Sequence, residues 1–152
     1  MRRVAFILIL VSLLCGCGTI KTNVQIEDKD FADLLFVQKV ENNFTSDKLA
    51  MPISNQTEIR QVLSMVDGLD AKKIDNDELI NILEKQDNYY MFAFFESEES
   101  NPTTREYRFQ VLEDGTILFD VNKIGTSDFP LVTTDTHNDL LEEMKEMLEI
   151  NF

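Results

Sequence analysis

Residues 89–95 (YYMFAFF) are apolar at every position. A strand with one wet face would alternate, and a run of seven is short for a buried helix, so an aromatic-rich run of this length reads as a strand covered on both faces. It is therefore expected at the centre of a sheet, with the rest of the chain supplying cover on two sides. Parity puts Tyr90, Phe92 and Phe94 on one face. If that face points away from the helices, it meets an N-terminal strand, a loop, a partner or an apolar ligand. These three residues are accordingly the candidate ligand or partner surface.

Two further strands are expected at 106–112 and 116–122, joined through Glu113-Asp114-Gly115. A two-residue Asp-Gly loop would set Phe109 opposite Asp120 and break the apolar face. A three-residue loop with Gly115 in a left-handed bulge instead pairs Tyr107 with Val121, Phe109 with Phe119 and Val111 with Ile117. Arg108, Gln110, Leu118 and Asp120 then share the opposite face. A first strand is expected at 33–40, followed by a loop over 42–52. Asn55 and Glu58 have capping-box spacing, and Ile59, Val62, Leu63 and Val66 follow at i, i+3, i+4 and i+7 before Gly68, which stops the helix. A short helix is expected at 77–85 with Leu79, Ile82 and Leu83 inward. A last one starts near Thr136, capped by Thr136 and Asp139, with Leu140, Leu141, Met144, Met147 and Leu148 as its stripe. The order β-α-α-β-β-β-α fits an α+β domain, an antiparallel sheet of about four strands with helices packed on one face.

The N-terminus has a separate logic. Arg2 and Arg3 precede a charge-free run over residues 4–14 (VAFILILVSLL), apolar except for Ser12. At 1.5 Å per residue the run reaches about 17 Å, short of the ~30 Å hydrocarbon core, and its proportions are those of a secretory signal. Leu14-Cys15-Gly16-Cys17 then resembles the lipobox of bacterial lipoproteins, with an aliphatic residue three positions before the cysteine and a small one just before it. The resemblance implies that residues 1–16 are a signal peptide, that Cys17 is the lipid attachment site, and that the mature protein is held outside the cytoplasm on the cell membrane. Two or three acyl chains anchor stably where one binds marginally. Beyond the leader the chain is similar, in size and pattern only, to small lipoproteins of Gram-positive bacteria. Residues 17–30 are expected to be the lipidated cysteine and a tether, and 31–152 a single domain.

Charge narrows the partners. Removing Arg2 and Arg3 with the leader leaves 12 basic against 28 acidic residues, a net of −16. Such a surface repels phosphate backbones, so nucleic acid is not an expected partner. No cysteine follows Cys17, which excludes both a disulfide and a cysteine nucleophile in the domain. His137 is the one histidine and is expected at the surface or as a cap. Asp75-Asn76-Asp77-Glu78 begins like a calcium loop, but Ile80 stands where an EF-hand needs glycine. Glu96, Glu98 and Glu99 read as a solvated loop. No cofactor, metal site or catalytic residue is expected. The expectation is a non-enzymatic, membrane-anchored module that binds a protein or a small apolar ligand. The alternatives are a carboxylate-based cell-wall enzyme, or an inhibitor or immunity protein.

Overall fold

A computed structural model of the chain describes residues 21–96, 107–120 and 129–152. They form one eight-stranded antiparallel sheet: β1 (Lys21–Asn23), β2 (Leu34–Val40), β3 (Ala50–Ile53), β4 (Asp70–Lys73), β5 (Tyr89–Phe95), β6 (Tyr107–Leu112), β7 (Ile117–Phe119) and β8 (Leu131–Thr133). The spatial order is β1-β4-β8-β7-β6-β5-β2-β3. Helices α1 (Gln56–Val66), α2 (Asn76–Leu83) and α3 (Asn138–Met147) complete it, with a 3-10 turn at Asp47–Leu49.

Two parts of the expected architecture need correction. The sheet has twice the expected strands, so the fold is sheet-dominated rather than four strands under helices. The helices also lie on both faces, not one. α1 (Ile59, Val62, Leu63, Val66) and the α3 segment (Leu141, Met144, Leu148, Ile150) cover Leu35, Val37, Phe92, Phe94, Phe109, Val111, Ile117 and Phe119. α2 brings Leu79 to the opposite face, against Ile74, Leu112, Leu118 and Val132. A sheet whose central strand is apolar on both sides needs both layers, since each large side chain kept from water is worth about 1.5–3 kcal/mol.

Strand β5 lies inside the sheet, paired with β2 over its whole length and with β6. The β6–β7 hairpin has the three-residue loop. Phe109 pairs with Phe119 and Val111 with Ile117, and Gly115 has φ +80°. Its amide donates to the Leu112 carbonyl (3.0 Å) while the Leu112 amide donates to Thr116 (2.9 Å). On the second face Arg108 pairs with Asp120, and Gln110 is buried opposite Leu118. Val121, the expected partner of Tyr107, lies outside the described residues.

The helix starts follow their local chemistry. Asn55 Oδ1 accepts from the Thr57 amide (3.0 Å) and its Nδ2 donates to Glu58 (2.9 Å). Asp75 caps α2 by accepting from the Glu78 amide at 2.7 Å, so the acidic stretch that starts like a calcium loop is a helix cap. At α3 the cap position is His137, not Thr136, and it makes no side-chain cap bond.

The domain also begins earlier than the tether reading expects. β1 pairs with β4, Lys21 opposite Lys72 and Asn23 opposite Asp70. Val24 and Ile26 are buried. Asp67, just past α1, accepts from the Ile26 amide (3.0 Å) and the Lys29 ammonium (2.6 Å). Burial alone would raise the Asp67 carboxyl, but these bonds and the Gly68 amide outweigh it and hold it below the usual carboxylate range.

Register defines the two ends of the sheet. Val40, Tyr89, Leu112, Ile117, Thr133 and Asp70 lie toward one end. Lys21, Lys73, Leu131, Phe119 and Phe95 lie toward the other. The seven residues of β2 put about 20 Å between them at 3.3 Å per residue.

Candidate functional site

The three aromatic residues singled out by parity share a face, and it is the face beneath α1 and α3. Phe92 and Phe94 are fully buried there. Phe92 stacks on Phe109 with ring centroids 4.8 Å apart, and Phe94 contacts Phe31, Tyr107 and Phe109. Both are core residues and neither reaches a surface. Tyr90 is different. It sits half-buried near the end of β5, where its hydroxyl donates to the Phe152 carbonyl at 2.6 Å and its ring stacks with Phe152. The Lys145 ammonium lies 5.6 Å from the ring centre.

Beside Tyr90 opens a cavity of about 360 Å³, lined by Lys39, Asn88, Tyr89, Tyr90, Leu112, Glu113 and Leu141. It lies at the end of the sheet where β2, β5 and β6 meet their connecting turns. Its walls are two tyrosine rings and two leucines, with one ammonium and one carboxylate at the rim. Lys39 donates to Glu41 at 2.8 Å, and that hydrogen bond, aided by the nearby Tyr90 and Glu113, raises the ammonium pKa despite some loss of solvent. The described lining offers apolar contact and one charge of each sign.

A second feature joins this cavity. β2 ends in a tight turn, Glu41-Asn42-Asn43-Phe44, closed by paired backbone bonds between Glu41 and Phe44 (2.9 and 3.0 Å). Asn42 and Asn43 have φ of 51° and 61°. Two successive left-handed residues make a type I′ turn, which asparagine tolerates better than other side chains. The turn is braced from outside. Asn43 donates its amide to the Asp87 carbonyl (2.9 Å) and its Nδ2 to the Asp87 carboxylate (3.0 Å). Asn88 accepts from the Asn42 amide (2.9 Å) and donates to Glu113 (2.7 Å), so one side chain ties the turn to the rim of the cavity. The turn leaves Phe44 76% exposed, the most exposed of the large apolar side chains described.

Sequence reasoning placed Phe44 in an unassigned loop. The Asn-Asn pair directly after a strand was the signal available for it. Cys17 lies outside the described residues, as do Glu98 and Glu99. His137 caps α3 through its carbonyl, which accepts from the Leu140 and Leu141 amides (3.2 and 3.4 Å), while its own amide donates to the Gly115 carbonyl at 2.8 Å; its Nε2 is buried and makes no hydrogen bond among the described residues. Among the described residues no group of three or more His, Cys, Asp or Glu side chains is placed to hold a metal, and no helix is long and apolar enough to cross a membrane. Compared with known proteins, the chain matches no family model, no curated protein and no solved structure.

Proposed function

We propose that the chain is a lipoprotein anchored at Cys17 on the outer side of the cell membrane, and that its domain is a binding module. The contact surface is the Tyr89–Tyr90 cavity together with the Phe44 turn, and the bound group is an apolar or aromatic segment of a protein partner or a small apolar ligand. One observation carries this reading: a well-exposed phenyl ring held on a braced turn and tied through Asn88 to a cavity with tyrosine walls. Unbraced exposed aromatics are common, but rigid ones beside a cavity are what a contact surface uses, because little ordering entropy is lost on binding.

A carboxylate-based enzyme would need paired acids in a cleft, and the described lining of this cavity contributes Glu113 alone. An inhibitor or immunity role is the same surface used against a basic target, which the net charge of −14 favours.

The test is a photo-reactive phenylalanine analogue at position 44 in the producing cell, with the same probe at exposed Ile80 as control and Cys17→Ser to release the protein from the membrane. The expected result is one specific adduct from position 44, absent from position 80 and reduced by Cys17→Ser. Identical patterns from positions 44 and 80, with no small molecule retained on native mass spectrometry, would refute the binding assignment.

A further inference from the structure

The end of the sheet opposite the cavity carries a second surface. Lys21 and Lys72 are direct cross-strand partners, so their side chains share one face. Lys73 follows at the end of β4, its ammonium 5.4 Å from the centre of the Phe129 ring. Phe129 is 53% exposed, and the Ile74 amide bonded to the Pro130 carbonyl (3.0 Å) holds its segment against β4. Lys21 and Lys72 on one face of the sheet, and Lys73 with the exposed phenyl ring on the other, thus border one corner of a chain whose net charge is −14. Asp75, Asp77 and Glu78 stand close by at the start of α2, with Glu78 3.5 Å from the Lys72 ammonium. The corner is therefore near neutral; at the same end Asp33 and Glu96 lie away from it, beside the Leu34–Phe95 pair across the sheet, and the cavity end carries the acids Glu41, Asp87, Glu113, Asp114 and Asp135.

We propose that this corner is a bilayer-facing surface, and that Lys21, Lys72, Lys73 and Phe129 sit in the headgroup layer of an anionic phospholipid membrane. The inference rests on the anchor reading of Cys17. Four residue steps separate Cys17 from Lys21, which limits their separation to about 14 Å. An acylated Cys17 lies at the membrane surface, so the corner must lie within that reach. The opposite end stands about 20 Å further along the strands. Electrostatics selects the same orientation: an acidic body beside anionic lipid is repelled by every acidic face and least by the near-neutral corner. Lysine stems and an aromatic ring suit the headgroup layer, where the ammonium stays wet and the apolar part is covered. The domain then stands with its Phe44 end outward.

The chain contains no tryptophan, so Phe129→Trp and Phe44→Trp each introduce a single fluorescent reporter. The full-length protein, processed in its producing cell, would be reconstituted into phosphatidylethanolamine–phosphatidylglycerol vesicles whose acyl chains are brominated near the headgroup. The expected result is quenched, blue-shifted emission from position 129 and unquenched emission from position 44. Replacing Lys21, Lys72 and Lys73 together by glutamate should relieve the quenching while the protein still floats with the vesicles. Unquenched emission from position 129 in a protein whose mass shows acylated Cys17 overturns the orientation alone, as does equal quenching at both positions. A protein without acyl mass at Cys17 that does not float overturns the anchor reading and this one with it.

Discussion

Gly115 and Gly68 offer a controlled comparison, because both have left-handed backbones (φ +80° and +84°) in very different surroundings. A Cβ at Gly68 would meet nothing within 4 Å. One at Gly115 would meet the Asn138 amide nitrogen at 2.6 Å, Asn138 Oδ1 at 2.8 Å and the His137 amide nitrogen at 2.8 Å. Gly68→Ala should therefore lose only the left-handed penalty, about 1–2 kcal/mol. Gly115→Ala carries the same penalty and must also push the hairpin tip off the start of α3. That move breaks the hydrogen bond from the His137 amide to the Gly115 carbonyl, a further ~1 kcal/mol, and loosens the backbone contact around it. A total of about 2–3 kcal/mol is expected, a sizeable part of the 5–15 kcal/mol typical of a domain. Urea unfolding followed by circular dichroism would measure both. Adding Asn138→Ala to Gly115→Ala removes the Oδ1 contact but leaves two backbone nitrogens in the way, so rescue should be slight. Equal losses for the two glycine variants, or full rescue by Asn138→Ala, would refute the argument.

Other expectations use the same measurement. Phe92→Ala removes a fully buried ring stacked on Phe109 and should cost about 3–5 kcal/mol; a loss under ~1 kcal/mol would mean that the stack is not central to the core. Asp67→Asn weakens the clamp on Ile26 and Lys29, and with the Asp67 and Lys29 side chains about 30% exposed the loss should be ~0.5–1 kcal/mol at neutral pH. Because the folded carboxyl lies below its unfolded value of ~3.9, that stabilisation is complete above this value and vanishes as pH falls through the lower folded one; the variant should thus converge on wild type in acid, and a gap that widens there would contradict the assignment. Pro52→Thr restores an amide hydrogen to edge strand β3 and should raise concentration-dependent self-association in sedimentation, with little change in unfolding midpoint.

What the sequence made legible were the features whose signal is long or forced. The seven apolar residues of β5 announced an interior strand, and the parity of Tyr107, Phe109, Val111, Ile117 and Phe119 identified the bulged hairpin. The stripes of α1 and α2 were equally plain. β1, β3, β4 and β8 were missed because each has three or four residues, too few for a period of two to emerge. Three of the four also carry residues that strands disfavour: Lys and Asn in β1, Pro52 in β3, Asp and Lys in β4. β4 buries only Ala71. With half the strands hidden, the sheet looked narrow enough for helices on one side. The site was legible only in part for a related reason. Parity grouped Tyr90, Phe92 and Phe94 on one face, but nothing in an apolar run says which face the helices take, and Phe92 and Phe94 lie under them. Phe44 was missed because its exposure depends on Asp87 and Asn88, more than 40 residues away.

The three-residue pairing of β1 with β4 has a mechanical meaning. If the protein is anchored and loaded as proposed, a pull on the domain passes through β1, which among the described strands pairs with β4 alone. Peeling it from β4 breaks a few bonds in sequence rather than many at once, and leaves the remaining seven strands paired. The next resistance comes directly at buried Val24, whose amide donates to Leu69 (2.9 Å) and whose carbonyl accepts from Gly68 (2.8 Å), and after it at Ile26 and Lys29, where Asp67 grips the chain from the end of α1. Freeing Lys21–Asn23 before Val24 gives way adds three residues, roughly 10 Å of reach at full extension. Under the proposed anchoring, the domain would yield at β1 before the rest of the sheet unfolds.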